Sequence, residues 1–164
     1  MPGAGFFPIA ASQLRFGSDG RWYADDEPVT HARLARFFTR YLRRKASGGY
    51  EIWVDERYHA DVEIADTPYV VVSVSAPPSA AETCSSSSGS GFTLLINDET
   101  TEPLDPTTLR VGAANVLYCR IKGGTEGARF LRPAYYHLAH FIEEIGDGHF
   151  WLRCGTAAHP IATH

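Results

Sequence analysis

The sharpest chemical signal in the chain lies between positions 30 and 45, where THARLARFFTRYLRRK carries six of fifteen basic residues and no acid. At about 100° per residue, Arg33, Arg36, Arg40, Arg43 and Arg44 fall within a sector of roughly 100° of a helix, and Leu34, Phe37, Phe38, Tyr41 and Leu42 fill the neighbouring face. A row of guanidinium groups can meet carboxylates or phosphates through planar, bidentate hydrogen bonds. The plainer alternative is a solvated helix face whose arginine stems shield an apolar edge. A second set comprises Arg132, just before Pro133, with Tyr136 and His137 about one turn on, and Cys154 further along. Arg132 could clamp an anion at a helix start, with His137 or Cys154 as acid/base or nucleophile, or it could pair internally with an acid such as Asp66 and serve only structure. No third group orients Cys154, and a small buried thiol is the commoner use of such a residue.

Other sets carry less. His59, Asp61 and Glu63 alternate along one strand face, and His137, His140 and Glu144 could share a helix face. Neither set has the His-Glu-x-x-His or paired-cysteine pattern of a metal centre, and alternating charge on a half-exposed strand is an ordinary solvated face, so no metal is expected. The glycines of Gly123-Gly124-Thr125-Glu126-Gly127 lack the Lys-Ser/Thr ending of a phosphate-binding loop, and Ser85 to Ser88 lack a nucleophile elbow. No cofactor and no catalytic residue is assigned.

The elements that must position these residues follow from periodicity and turn chemistry. Strands at 14–16 and 21–24 flank Ser18-Asp19-Gly20 and form an opening hairpin. Thr30 is placed as the N-cap of a helix that runs to about Ser47, stopped by Gly48 and Gly49. Runs at 50–54, 58–64 and 69–75 read as a three-stranded meander covered by that helix. Strands are expected at 92–96, 116–121 and 128–131. A second helix follows from Pro133 to about Ile145, then extended pieces at 149–153 and 158–161. The expected domains are a flexible tail (1–13), an N-terminal α+β lobe (14–76), a Ser/Gly/Pro-rich linker (77–91) and a C-terminal α+β lobe (92–164). Each lobe is too small for an ample core of its own, so the two are expected to pack into one compact body.

Composition bounds the partners. With 164 residues, 44% hydrophobic and 21% charged, the chain matches one soluble domain or two small lobes. Its net charge of −4 leaves about −10 outside residues 30–45, which argues against DNA. The opening residues lack the basic and apolar regions of a signal peptide, and no apolar run approaches the roughly 20 residues that span a bilayer. Cys84, Cys119 and Cys154, odd in number and scattered, suit a reducing compartment, and a cytoplasmic location is expected.

Asp19, Gly20 and Trp22, then Val62, Asp66 and Pro68, then Arg132, Pro133, Tyr136 and Leu138, and finally Gly155 and Pro160 follow an ordered pattern over residues 14–161. The pattern resembles that of DUF1285, a bacterial family known only as a domain of unknown function. Tyr69, where Phe is commoner, and Cys154 and Thr156 depart from it, and the serine-rich linker looks private to this chain. The resemblance implies an α+β fold of two small β-rich lobes, a β roll and an α/β roll with one main helix each, and it implies no activity. The leading expectation is a non-enzymatic binding module for an anionic small molecule or an acidic protein surface, compatible with homo-oligomer formation and without a membrane role. The alternative is a small-molecule enzyme built on the second helix and the tail.

Overall fold

The computed structural model describes residues 13–77 and 90–163. All of the expected tail but Gln13, and residues 78–89 of the expected linker with Cys84, lie outside the described residues. The chain divides into two compact units, Met1–Pro68 and Tyr69–His164. The α+β class holds, with one α-helix in each unit among the described residues.

In the first unit, β1 (Leu14–Phe16), β2 (Trp22–Ala24), β3 (Glu27–Pro28), α1 (Ala32–Arg40), β4 (Leu42–Arg44), β5 (Tyr50–Trp53) and β6 (His59–Ile64) follow in order. Their sheet runs β3-β2-β1-β6-β5-β4, with β1 parallel to β6 and every other pair antiparallel. Leu14, Phe16, Trp22, Ile52, Ala60 and Val62 are buried, so the alternation read along the β6 sequence does face a core. The opening hairpin forms as expected, with Gly17 N donating to the Arg21 carbonyl at 2.8 Å and Arg21 N to Asp19 Oδ1 at 3.1 Å. A Cβ on Gly17 would lie 2.5 Å from Asp19 Oδ1 and 2.9 Å from the Tyr23 ring, so a larger residue there would have to displace both side chains.

The first helix is shorter than its sequence pattern. His31, not Thr30, caps it, its Nδ1 accepting from Leu34 N at 3.4 Å, and it stops at Arg40. Leu42, Arg43 and Arg44 are extended and pair with Ile52, Glu51 and Tyr50. Sheet pairing, closed by a turn in which Gly48 and Gly49 take φ of 92° and 79°, outweighs a helical preference worth only tenths of a kcal/mol per residue.

The second unit contains β7 (Tyr69–Ser75), β8 (Thr93–Ile96), β9 (Thr101–Pro103), β10 (Arg110–Val111), β11 (Leu117–Ile121), β12 (Glu126–Phe130), α2 (Arg132–Ala139), β13 (Ile142–Glu144), β14 (Phe150–Cys154) and β15 (Ala157–Thr163). They form one sheet in the order β13-β14-β15-β10-β11-β12-β7-β8-β9. Two expectations are corrected here. Strand β7 does not continue a meander with β5 and β6. It pairs in parallel with β12 and antiparallel with β8, so the N-terminal lobe expected over 14–76 ends at Pro68. Its run of buried residues from Tyr69 through Val71 suits a central strand covered on both faces, not one with a wet side. The second helix likewise ends at Ala139, and Ile142–Glu144 becomes a strand closed by a turn through Gly146 and Gly148, so Glu144 shares no helix face with His137 and His140.

Six strands of the second unit repeat the first. The order β12-β11-β10-β15-β14-β13 matches β3-β2-β1-β6-β5-β4 strand for strand, including the one parallel pair, β10 with β15, and the helix precedes the equivalent hairpin in both. Register agrees to the residue: Leu42–Ile52, Arg43–Glu51 and Arg44–Tyr50 correspond to Ile142–Leu152, Glu143–Trp151 and Glu144–Phe150. Arg15 lies 4.4 Å over the Tyr23 ring, and at the matching pair Arg110 lies 4.4 Å over Tyr118.

Candidate functional site

Three arginines of α1 remain together. Arg33, Arg36 and Arg40 are exposed and lie within a sector of roughly 60°. The helix buries its opposite side, with Phe38 and Thr39 inside: Trp22 packs edge-on against Phe38 at 5.3 Å and its Nε1 donates to Thr39 Oγ1 at 2.8 Å. Not all of the apolar face is core. Leu34 is 42% exposed and Tyr41 38%, and half-buried Phe37 stands 4.6 Å from the Tyr41 ring. The outward side of α1 is therefore a cationic stripe beside an apolar one.

Arg43 and Arg44 leave that row, because β4 sends its alternate side chains to opposite faces of the sheet. Arg43 Nε and Nη2 both lie 2.9 Å from Glu51 Oε1, and its guanidinium lies 3.8 Å over the Trp53 ring. Trp53 in turn stacks on His59 at 5.1 Å. Arg44 Nη2 donates to the Tyr50 hydroxyl at 2.6 Å. The expected row of five is three, and the other two are structural pairs. Asp61, on the same strand face as His59, binds Lys45 Nζ at 2.8 Å, so two of the His59, Asp61 and Glu63 series are engaged in contacts with neighbouring segments. Among the described residues no group of three or more His, Cys, Asp or Glu is arranged to hold a metal ion.

The residues proposed around the second helix are placed as follows. Arg132 opens α2 without a side-chain cap, Arg132, Tyr136 and His137 are exposed, and Cys154 is a core residue of β14 at 2% exposure. None of the four lines the concavity of that region. This cleft, of about 300 Å³, is lined by Val111, Asn115, Leu117, Tyr135, Ala139, Ile142, Glu144, Phe150 and Ile161. Sequence reasoning missed it, because it arises from side-chain volume at paired positions and has no motif.

Electrostatics concentrates at the other end of the second unit. Lys122, held at φ 54°, donates to Asp98 Oδ2 at 2.5 Å and to Thr100 Oγ1 at 3.0 Å. Burial works to raise the Asp98 carboxyl, but the Lys122 and Thr100 hydrogen bonds and the Lys122 charge outweigh it and hold it below the usual carboxylate range. Tyr69 is pushed up to about 12 by burial and by Asp98 and Glu126. The Cys119 thiol, also pushed up to about 12 by burial and then by Glu102, stays protonated and unreactive at neutral pH.

This fold recurs in solved structures. A DUF1285 family protein from Silicibacter pomeroyi DSS-3 superposes with a TM-score of 0.63 at 20% identity, over 92% of this chain and 80% of that one. The fold is that of DUF1285 proteins. A second such protein, from Shewanella baltica OS155, gives 0.56 at 14% identity, over 79% of this chain and 91% of that one. Neither a family model nor a curated protein matches the sequence. The fold implied by the ordered residues from Asp19 to Pro160 is thus borne out, and DUF1285 brings no activity with it. No described helix is long and apolar enough to cross a membrane.

Proposed function

We propose that the protein is a non-enzymatic binding module whose first unit recognises an acidic, partly apolar protein segment through the outward face of α1. One observation carries this reading: Arg33, Arg36 and Arg40 stand exposed beside exposed Leu34 and Tyr41 on a helix that contains no acid. Three arginines on one helix face raise the local positive potential, which steers an anionic partner to it. The apolar stripe beside them adds area that a purely ionic ligand would leave wet.

The test is fluorescence anisotropy with a labelled synthetic peptide carrying Glu or Asp interspersed with Leu and Phe. Replacing Arg33, Arg36 and Arg40 together by Gln should weaken binding about tenfold or more at low salt, flatten its salt dependence, and leave the thermal midpoint nearly unchanged. If the triple variant binds the peptide as the parent does, α1 presents only a hydrated surface.

A further inference from the structure

We propose that the cleft between α2 and the sheet of the second unit is a binding site for a small organic cation with an apolar body. The repeat explains why a cleft exists there. Register equates Phe16 with Val111, since each pairs with the next strand and with the parallel strand in the same way, and it equates Trp22 with Leu117. The helix-to-hairpin hydrogen bonds, Trp53 N to the Tyr41 carbonyl at 2.9 Å and Arg153 N to the Phe141 carbonyl at 2.7 Å, equate Thr39 with Ala139. In the first unit Phe16, Trp22 and Thr39 fill the space between helix and sheet. In the second, the smaller Val111, Leu117 and Ala139 stand in their places, and all three line the cleft. Tyr135, where α1 has Ala35, adds a wall without filling the gap.

The lining also states a charge preference. Its apolar residues are Val111, Leu117, Ala139, Ile142, Phe150 and Ile161; its one carboxylate is that of Glu144, and no Arg, Lys or His lines it. Glu144 shares the core-facing side of β13 with Ile142, at the place where the first unit has Arg44 closed over Tyr50. One Glu144 oxygen accepts from Gly148 N at 3.2 Å. Asn115 is held at the rim by a backbone in which both Ala114 and Asn115 take the left-handed conformation, φ 56° and 58°, an unfavourable state for alanine. An apolar cavity of about 300 Å³ with a carboxylate and an amide at its border fits a small aromatic or branched amine and disfavours an anion.

The test titrates the full chain with 2-phenylethylamine, 2-phenylethanol and phenylacetate, which share a shape and differ in charge, and follows backbone amide NMR signals. The amine should bind about fivefold tighter than the alcohol, with phenylacetate weakest. Saturable shifts should appear at Asn115, Ala139, Glu144 and Phe150. Glu144→Gln, at an exposed side chain, should erase the preference for amine over alcohol. Leu117→Trp combined with Ala139→Thr, which rebuilds the Trp22 and Thr39 pair in the second unit, should abolish binding of all three. Ala139→Leu makes the same test if the double variant does not fold. Phenylacetate binding as tightly as the amine, no saturable shift from any probe, or undiminished binding in a folded, filled variant would overturn the assignment.

Discussion

The hairpins β4–β5 and β13–β14 pair the same positions in the same register, yet Arg43, Arg44 and Lys45 on one correspond to Glu143, Glu144 and Ile145 on the other. What they share is what topology needs: an apolar pair, Leu42 with Ile52 or half-buried Ile142 with buried Leu152, and glycines with positive φ in the turn, Gly48 and Gly148 among them. What differs lies mainly at positions that face water, buried Glu51 opposite Arg43, where the second hairpin has Trp151, being the exception. The same division holds beneath the helices, where aromatic bulk closes the first unit and its loss opens the second. A shared plan thus separates residues that fix the fold from those able to acquire separate roles: a basic helix face in one unit, a cleft in the other.

The largest effect that would sharpen this comparison is at the equivalent positions Trp22 and Leu117. Trp22→Ala should cost about 3–5 kcal/mol, because a close-packed site cannot collapse around the void, while Thr39 keeps its hydrogen bond to the Ala35 carbonyl. Leu117→Ala, at the wall of an existing cleft, should cost about 2–3 kcal/mol. Urea unfolding of the two variants measures both, and equal losses would mean that the second unit is packed as tightly as the first. Next come the hairpin arginines. Arg43→Ala leaves Glu51, 8% exposed, without its cation and should cost about 1–3 kcal/mol. Arg153→Ala breaks an exposed pair with Glu143 at 2.8 Å and should cost under about 1 kcal/mol. Matching losses in thermal unfolding would break the contrast between a structural pair and a surface one.

Much of this was legible in sequence, because most strands announce themselves by alternation, as 59–64 does, and turns by glycine, as at Gly20 and Gly148. The helix ends were not. In RYLRRK and HFIEE the apolar spacing suits a helix and a strand equally, and only pairing with the following strand, Leu42 to Ile52 and Ile142 to Leu152, decides between them. That ambiguity merged Arg43 and Arg44 with a helix row to which they do not belong. The partner of Tyr69–Ser75 was hidden for the same reason: a run buried on both faces does not say which neighbours it has, and its parallel mate Glu126–Phe130 is more than fifty residues away. The cleft was the least legible feature, since it is a difference in volume between positions that only the repeat makes comparable.

The smallest effect separates the units by pH. Protonated Cys119 and Tyr69, both pushed up to about 12, belong to the second unit; each has its folded value above its ordinary one, 9.0 and 10.0 respectively. Their stabilising contribution is complete below those ordinary values and is lost as pH rises from about 9 through about 12. Asp98, held low, runs the other way: its contribution is present above the ordinary value of 3.8 and is lost as pH falls through the lowered one. In the first unit the Tyr23 hydroxyl is also raised, by its 2.7 Å hydrogen bond to Asp19, but at the exposed opening hairpin solvent screens the effect and its stabilising share is small. Between about pH 8 and pH 10.5 the thermal midpoint of the second unit should therefore fall more than that of the first. Cys119→Ala should reduce the fall, because a side chain that cannot ionise removes the drive to expose a thiolate. Scanning calorimetry at the two pH values, with thiolate absorbance followed alongside, measures this, and a fall unchanged by the substitution would show that alkaline sensitivity does not distinguish the two halves at Cys119.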